Sequence, residues 1–261
     1  MSISTSTPQT QSMVARFGSG EEWQLREDLA AAYRLLHYYG MTETIHSHIS
    51  VRIQEDPAIF LLNPYGMLFD EIRASDLVRV DADGNKIDTT NAEINQAGFT
   101  IHSAIHLGRP DAYAIAHVHT VSGMAVAAME EGLLPLNQAS MEFYNRVAYH
   151  DYEGISLDLD ERDRIVASLG DKNCLIMRNH GLLTVGRTVA EAFYYMYNLN
   201  KACEIQVQAL STNRKMILPS PGVCEHTAQQ FEEPSFHNDE VARIWKANRR
   251  LLDRLDPSYR G

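Results

Sequence analysis

Residues 173–186 read "NCLIMRNHGLLTVG", two short apolar runs meeting at Asn179-His180-Gly181. A connection that short cannot hold a helical crossover, so the runs must lie antiparallel, as a hairpin. The same punctuation recurs upstream. In "HISVRI" (48–53) Ile49, Val51 and Ile53 alternate with His48, Ser50 and Arg52, the pattern of a strand whose two faces meet different surroundings. "AIFLLNP" (58–64) and "LVRVDADGNKID" (77–88) read as two more strands, the second closed by the turn signal Asp83-Gly84-Asn85. "AYAIAHVH" (112–119) is a further strand and "RVAYHDYEG" (146–154) an extended piece.

Helical spacing fills the intervals. "EEWQLREDLAAAYRLLHYYG" (21–40) repeats Leu25, Leu29, Ala32 and Leu36 and stops at Gly40. "NQAGFTIHSAIHLG" (95–108) places Phe99, His102 and His106 in i, i+3, i+7 order. "SGMAVAAMEEG" (122–132) and "LDERDRIVASLG" (159–170) are shorter helices, and "TVAEAFYYMYNLNKACEIQVQAL" (188–210) is the longest, with Thr188 and Glu191 spaced as a capping box. Residues 238–256 form an amphipathic terminal helix. Interleaved helices and strands with short connections predict an α/β chain whose sheet is largely antiparallel or mixed and layered with helices. The expected organisation is a flexible arm over 1–20, one domain over 21–218, and a segment over 219–261. That last segment comprises a linker marked by Pro219, Pro221 and Pro234 and a helix packing on the domain or on a neighbouring subunit.

The 261 residues are 44% hydrophobic and 22% charged, enough apolar material for a well-filled core. A formal charge of −11 without a Lys/Arg cluster argues against nucleic-acid and anionic-membrane partners, which need a basic face. The apolar runs fall short of the roughly 20 residues that span a bilayer. The polar, Ser/Thr-rich start has no hydrophobic central segment, so the expected location is the cytoplasm. Cys174, Cys203 and Cys224, odd in number and far apart, read as reduced buried thiols.

The chemistry concentrates in histidines. On a strand, residues i and i+2 share a face, so His117 and His119 present their imidazoles side by side. Such a pair can share a divalent metal, with His180 of the hairpin turn as the natural third ligand and an open position for water or substrate. The same spacing also suits hydrogen-bonded histidines in a half-buried sheet.

"HLGRPDAYAIAHVHT" followed by "RNHGLLTVG" resembles the class II aldolase/adducin family, and "NPYGMLFDEIRASDLVRVDADGNKID", "NQAGFTIHSAIH", "VAYHDYEGI" and "EAFYYMYNLNKACEIQVQAL" resemble its adducin-like branch. The resemblance covers roughly residues 22–215. It implies a three-layer α/β/α fold with a central, mainly antiparallel sheet, and a homotetramer with active sites at subunit contacts. The metal ligands it implies are His117, His119 and His180. The family's aldolases carry a catalytic glutamate at the position of Gly98, phosphate-holding serines at those of Gln96 and Ala97, and a Gly-Asn pair at Ser47-His48. Losing a positioned general base costs ~10²–10⁴ in rate, and a dianionic phosphate wants several small donors, so sugar-phosphate cleavage is not expected.

Ser47, His48 and Gln96 become the candidate substrate-binding residues, with His48 also a candidate acid or base. Glu142, near the segment where the family's dehydratase keeps its base, and Tyr144 are the other catalytic candidates, Glu142 equally suiting a surface salt bridge. Tyr152 is a plausible proton donor. Glu93 precedes Gly98 by more than a helical turn and is expected outside the site; His102 and His106 are expected to be structural. The leading expectation is a metal-dependent lyase, of decarboxylase or retro-aldol type, for a small non-phosphorylated oxo- or hydroxy-carboxylate, aromatic acids included. Zinc is the default ion, with iron(II), manganese or cobalt compatible. Two rivals stand beside it: an iron(II)-dependent oxygenase of a 2-oxo or hydroxyaryl acid, and a non-catalytic assembly protein like adducin's head domain.

Overall fold

Ser19 sets the start of the first helix, α1 (Gly20–Tyr38): its hydroxyl accepts from the Glu22 N–H at 3.2 Å, and Glu21 and Glu22 occupy the first turn. The computed structural model describes residues 19–155 and 160–261. The arm expected over 1–20 therefore lies almost wholly outside the described residues. Leu29, Ala32 and Leu36 of α1 are fully buried, as their spacing predicts.

Seven strands form the sheet: β1 (His48–Glu55), β2 (Ala58–Leu62), β3 (Val78–Asp81), β4 (Ala114–Val118), β5 (Val147–His150), β6 (Cys174–Met177) and β7 (Gly181–Gly186), in the order β3-β2-β1-β4-β7-β6-β5. Neighbouring pairs are antiparallel except β5 with β6. The hairpin of residues 173–186 pairs Met177 with Gly181, so the turn is Arg178-Asn179-His180, one residue earlier than expected. Asn179 takes the left-handed conformation (φ 55°) that its short polar side chain tolerates.

The remaining helices are α2 (Gln96–Gly108), α3 (Val121–Ala127), α4 (Gln138–Met141), α5 (Glu161–Leu169), α6 (Val189–Ser211), α7 (Pro221–Glu232) and α8 (Pro234–Leu255). They make three layers. On one face of the sheet Ile49, Val51, Ala116, Val118 and Leu182 pack with α1 and α6. On the other, Ile115, Leu183 and Val185 pack with Ile101 and Ile105 of α2 and Ile165 and Leu169 of α5. Alternation thus sends Ala114, Ala116 and Val118 to one layer and leaves His117 on the α2 side with His48, Ser50 and Arg52.

The segment read as a linker is a helix. Pro221 and Pro234 each stand in the first turn of a helix, α7 and α8, where a missing N–H costs nothing; Ser220 and Glu233 cap them through Val223 and Phe236 N–H. α8 lies on its own chain, with Asn248 accepting from the Tyr39 hydroxyl at 2.7 Å and Arg249 3.2 Å from Glu27. The capping box of α6 is half as expected: Thr188 accepts from Glu191 N–H at 3.1 Å, while the Glu191 carboxylate reaches one residue further back, to Arg187 N–H at 2.6 Å. All three cysteines are free and buried. No helix among the described residues is long and apolar enough to cross a membrane.

Candidate metal centre

β4 ends at Val118, so His119 stands just past the strand rather than on it. The two imidazoles still meet: His117 Nε2 is 2.8 Å from His119 Nε2, and His119 Nε2 is 3.0 Å from His180 Nε2. The three candidate ligand atoms lie within 4.8 Å of one another. Each approach has a local cause. His117 is paired across the sheet with Leu183, and its Nδ1 donates to the Leu182 carbonyl at 3.0 Å. His119 Nδ1 faces the Glu43 carboxylate at 2.7 Å. His180 comes close because Gly181 follows it; a Cβ there would sit 2.6 Å from the Val118 carbonyl oxygen and 2.9 Å from His119 Cδ2.

The donor set fits a divalent cation. With Nδ1 occupied, His117 and His119 each turn a bare Nε2 inward, and an imidazole so oriented by carbonyl or carboxylate is the usual form of a metal-ligating histidine. Burial, then the neighbouring rings, hold the His117 pKa well below its usual range, and burial followed by His119 brings His180 down to about 4. Neutral rings are what coordination requires.

His48 lies beside this centre. It pairs with His117 across β1 and β4, and their ring centroids are 4.9 Å apart. Its other neighbour is Gly98: a Cβ added there would fall 2.5 Å from His48 Cδ2 and 2.6 Å from Nε2. The imidazole thus occupies the space that a side chain at 98 would need. Burial, followed by repulsion from His119 and His180, lowers its pKa to about 3.

These groups open on a cleft of about 620 Å³ lined by His48, the three clustered histidines, Glu43, Glu93, Gln96 and Tyr152. Of the sequence candidates, the structure therefore brings together His48, Gln96, His117, His119 and His180. Ser47 is buried, its hydroxyl without a hydrogen-bond partner among the described residues, and does not line the cleft. Glu142 and Tyr144 do not join the histidines within one chain. Glu142 is buried in a separate cavity with Cys174, Tyr195 and His237, and Asn198 donates to it at 3.3 Å. The surface salt bridge considered for Glu142 is thereby replaced by a buried carboxyl. Glu93, expected outside, lines the cleft because its loop folds back so that its carbonyl accepts from Tyr65 N–H at 2.8 Å. Glu43 was missed, since nothing in "GMTETIHSHIS" marks one acid of a loop as the partner of a histidine 76 residues on. The Tyr152 ring stands 6.3 Å from that of His180.

The family model of the Class II Aldolase and Adducin N-terminal domain matches residues 27–207. Alpha-adducin from Rattus norvegicus is 45% identical over 244 residues, covering 88% of this chain and 33% of its own length. The chain thus spans about a third of that relative. The crystal structure of an aldolase II superfamily protein from Pseudomonas syringae superposes with a TM-score of 0.89 at 47% identity, covering 95% of this chain and 99% of that one. L-fuculose 1-phosphate aldolase from Glaciozyma antarctica PI12 superposes with a TM-score of 0.81 at 28% identity, covering 98% and 96% respectively.

Proposed function

Since the chain belongs to the class II aldolase and adducin family, we propose that it is a metal-dependent carbon–carbon lyase acting on a small oxo- or hydroxy-carboxylate without a phosphate group, aromatic acids included. The observation that carries this reading is the convergence of three imidazoles on a solvent-connected cleft. A divalent cation held by His117, His119 and His180, zinc by preference, would supply Lewis acidity toward a carbonyl or hydroxyl oxygen of the substrate.

The chain's own residues divide the remaining work. Glu43 keeps His119 in place through its Nδ1. His48, filling the space at Gly98, takes over the proton transfer that a carboxylate performs in the family's aldolases: its Nε2 accepts the substrate hydroxyl proton as the carbon–carbon bond breaks in a retro-aldol cleavage and returns that proton to the carbon left behind. Gln96 offers amide donors to the substrate carboxylate, and the Tyr152 ring forms an apolar wall suited to an aromatic substituent. Gln96 and Ala97 make a poor phosphate cradle. We include in the proposal a homotetramer whose cleft adjoins a subunit contact, the arrangement in which Tyr144 would reach a site only from a neighbour, while Glu142 stays buried in its own chain.

The similarity to alpha-adducin favours a second reading, an assembly module without catalysis. One experiment separates the readings. The protein is loaded with zinc, manganese, cobalt or iron(II) and assayed, in parallel without and with oxygen, on panels of oxo- and hydroxy-acids with and without phosphate. The lyase reading expects cleavage of non-phosphorylated acids without oxygen. Cleavage of phosphorylated sugars alone, or turnover only with iron and oxygen, would overturn it, and failure to retain any metal would leave the assembly reading.

A further inference from the structure

Gly98, His102 and His106 stand at four-residue spacing on one face of α2, against the face of β1 that carries His48 and Ser50. Their polar atoms form an unbranched line. His48 Nδ1 lies 2.8 Å from His102 Nε2; His102 Nδ1 lies 2.6 Å from Ser50 Oγ; Ser50 Oγ lies 2.8 Å from His106 Nε2; and His106 Nδ1 lies 2.8 Å from the Ala112 carbonyl oxygen. None of the four side chains is more than 3% exposed.

The direction of this line is determined from its buried end. A carbonyl only accepts, so His106 carries its proton on Nδ1 and, as a neutral ring, offers Nε2 as an acceptor. Ser50 must then donate to His106, which leaves its oxygen to accept from His102 Nδ1. His102 Nε2 is consequently bare, and His48 must donate from Nδ1. His102 and His106 are neutral because burial, the leading cause for both, lowers their pKa, and His48, 3% exposed and hydrogen-bonded to a neutral ring rather than to a carboxylate, has nothing to hold a second proton. What remains is His48 Nε2, without a proton and without a hydrogen-bond partner among the described residues, beside Gly98 at the cleft.

We propose that His102, Ser50 and His106 are positioning residues that hold His48 in the single tautomer whose Nε2 meets the substrate as a proton acceptor. The inference rests on the assignment of His48 as the base of the proposed lyase. The logic is that of an oriented catalytic imidazole, with a backbone carbonyl as anchor in place of a carboxylate. A carbonyl holds the hydrogen bond but takes no proton, so the line orients the base and provides no exit: a proton accepted at Nε2 goes back to substrate. Phe60 stacks on His106, centroids 4.8 Å apart and planes 10° from parallel, and holds the anchoring ring in plane.

The test is a long-range ¹H–¹⁵N spectrum of the full chain, zinc-loaded and labelled at histidine, with His48 assigned through its loss in His48→Gln. His48, His102 and His106 should each show a protonated Nδ1 and a bare Nε2; a proton on His48 Nε2 overturns the proposal. In Ser50→Ala, His48 should show both tautomers and kcat on an acid substrate should fall about tenfold, the worth of one hydrogen bond, with KM unchanged. Ser50→Thr should restore one tautomer. Retention of the single tautomer in Ser50→Ala also overturns the proposal, and should that variant fail to fold, the wild-type spectrum decides alone. The stated tautomers in a protein that turns over nothing under any metal would sink the lyase reading and leave the orienting line standing.

Discussion

Gly98→Ala tests whether the two unusual residues of the cleft, the glycine and His48, exchange space with one another. In an ordinary helix the change would stabilise by up to about 1 kcal/mol, since glycine is a poor helix former. Here the new methyl would lie 2.5 Å from His48 Cδ2. His48 cannot swing clear, because His102 holds its Nδ1 at 2.8 Å and the His117 ring flanks it at 4.9 Å. Overpacking a rigid buried site costs about 1–3 kcal/mol, so in the wild-type background the net effect is a loss of up to about 2 kcal/mol. In a His48→Ala background the obstacle is gone, and the same change should stabilise by up to about 1 kcal/mol. Urea unfolding of the four proteins, zinc-loaded at equal metal content, gives the coupling from the shift in midpoints. If Gly98→Ala has the same effect in both backgrounds within about 0.5 kcal/mol, the residues do not compete for space and the account of His48 as the occupant of the carboxylate's place is wrong.

Glu43→Gln should leave the fold intact, since Glu43 is half exposed, yet weaken metal binding about 10–100-fold by loosening His119; competition with a chromophoric chelator measures it, and an unchanged affinity would remove Glu43 from the centre. Glu142 makes a pH prediction. Its carboxyl is pushed from the ordinary 4.5 up to about 8 by burial, against opposing hydrogen bonds from Tyr194 and Asn198. Between those values the folded chain keeps a proton that the unfolded chain has released, so stability present below pH 4.5 is lost as pH rises toward about 8. The slope is roughly 1.4 kcal/mol per pH unit, and Glu142→Gln should flatten it. A stability difference between variant and wild type that stays constant from pH 5 to 8 would refute the assignment.

Much of the fold was legible because local rules and tertiary packing agree. The alternation of His48–Ile53, the hairpin around Asn179 and the Thr188 cap all report backbone geometry directly; the structure places the strand as read, the turn one residue earlier, and the cap through the Thr188 hydroxyl alone. Residues 221–232 were misread because prolines that begin helices look, in sequence, like prolines that interrupt them. The site was legible only in part. Three histidines stood out by residue type and spacing, whereas Glu43 and Glu93 reach the cleft through loop paths that no periodicity encodes. The contact between His48 and Gly98 joins positions on different elements, so sequence could reveal the missing carboxylate but not the ring filling its space. His102 and His106 read as structural, since a helix face shows two histidines but not the serine that links them.

The claim on which the functional account depends is that His117, His119 and His180 hold one divalent cation. Its most direct test is the metal content, by inductively coupled plasma mass spectrometry, of the protein purified without chelators after growth with zinc and iron, beside that of His119→Ala. The account predicts one ion per chain in the wild type and almost none in the variant, with the variant's circular dichroism unchanged because His119 lies beyond the end of β4. A wild-type protein that carries no metal, or a variant that carries as much as the wild type, would contradict it.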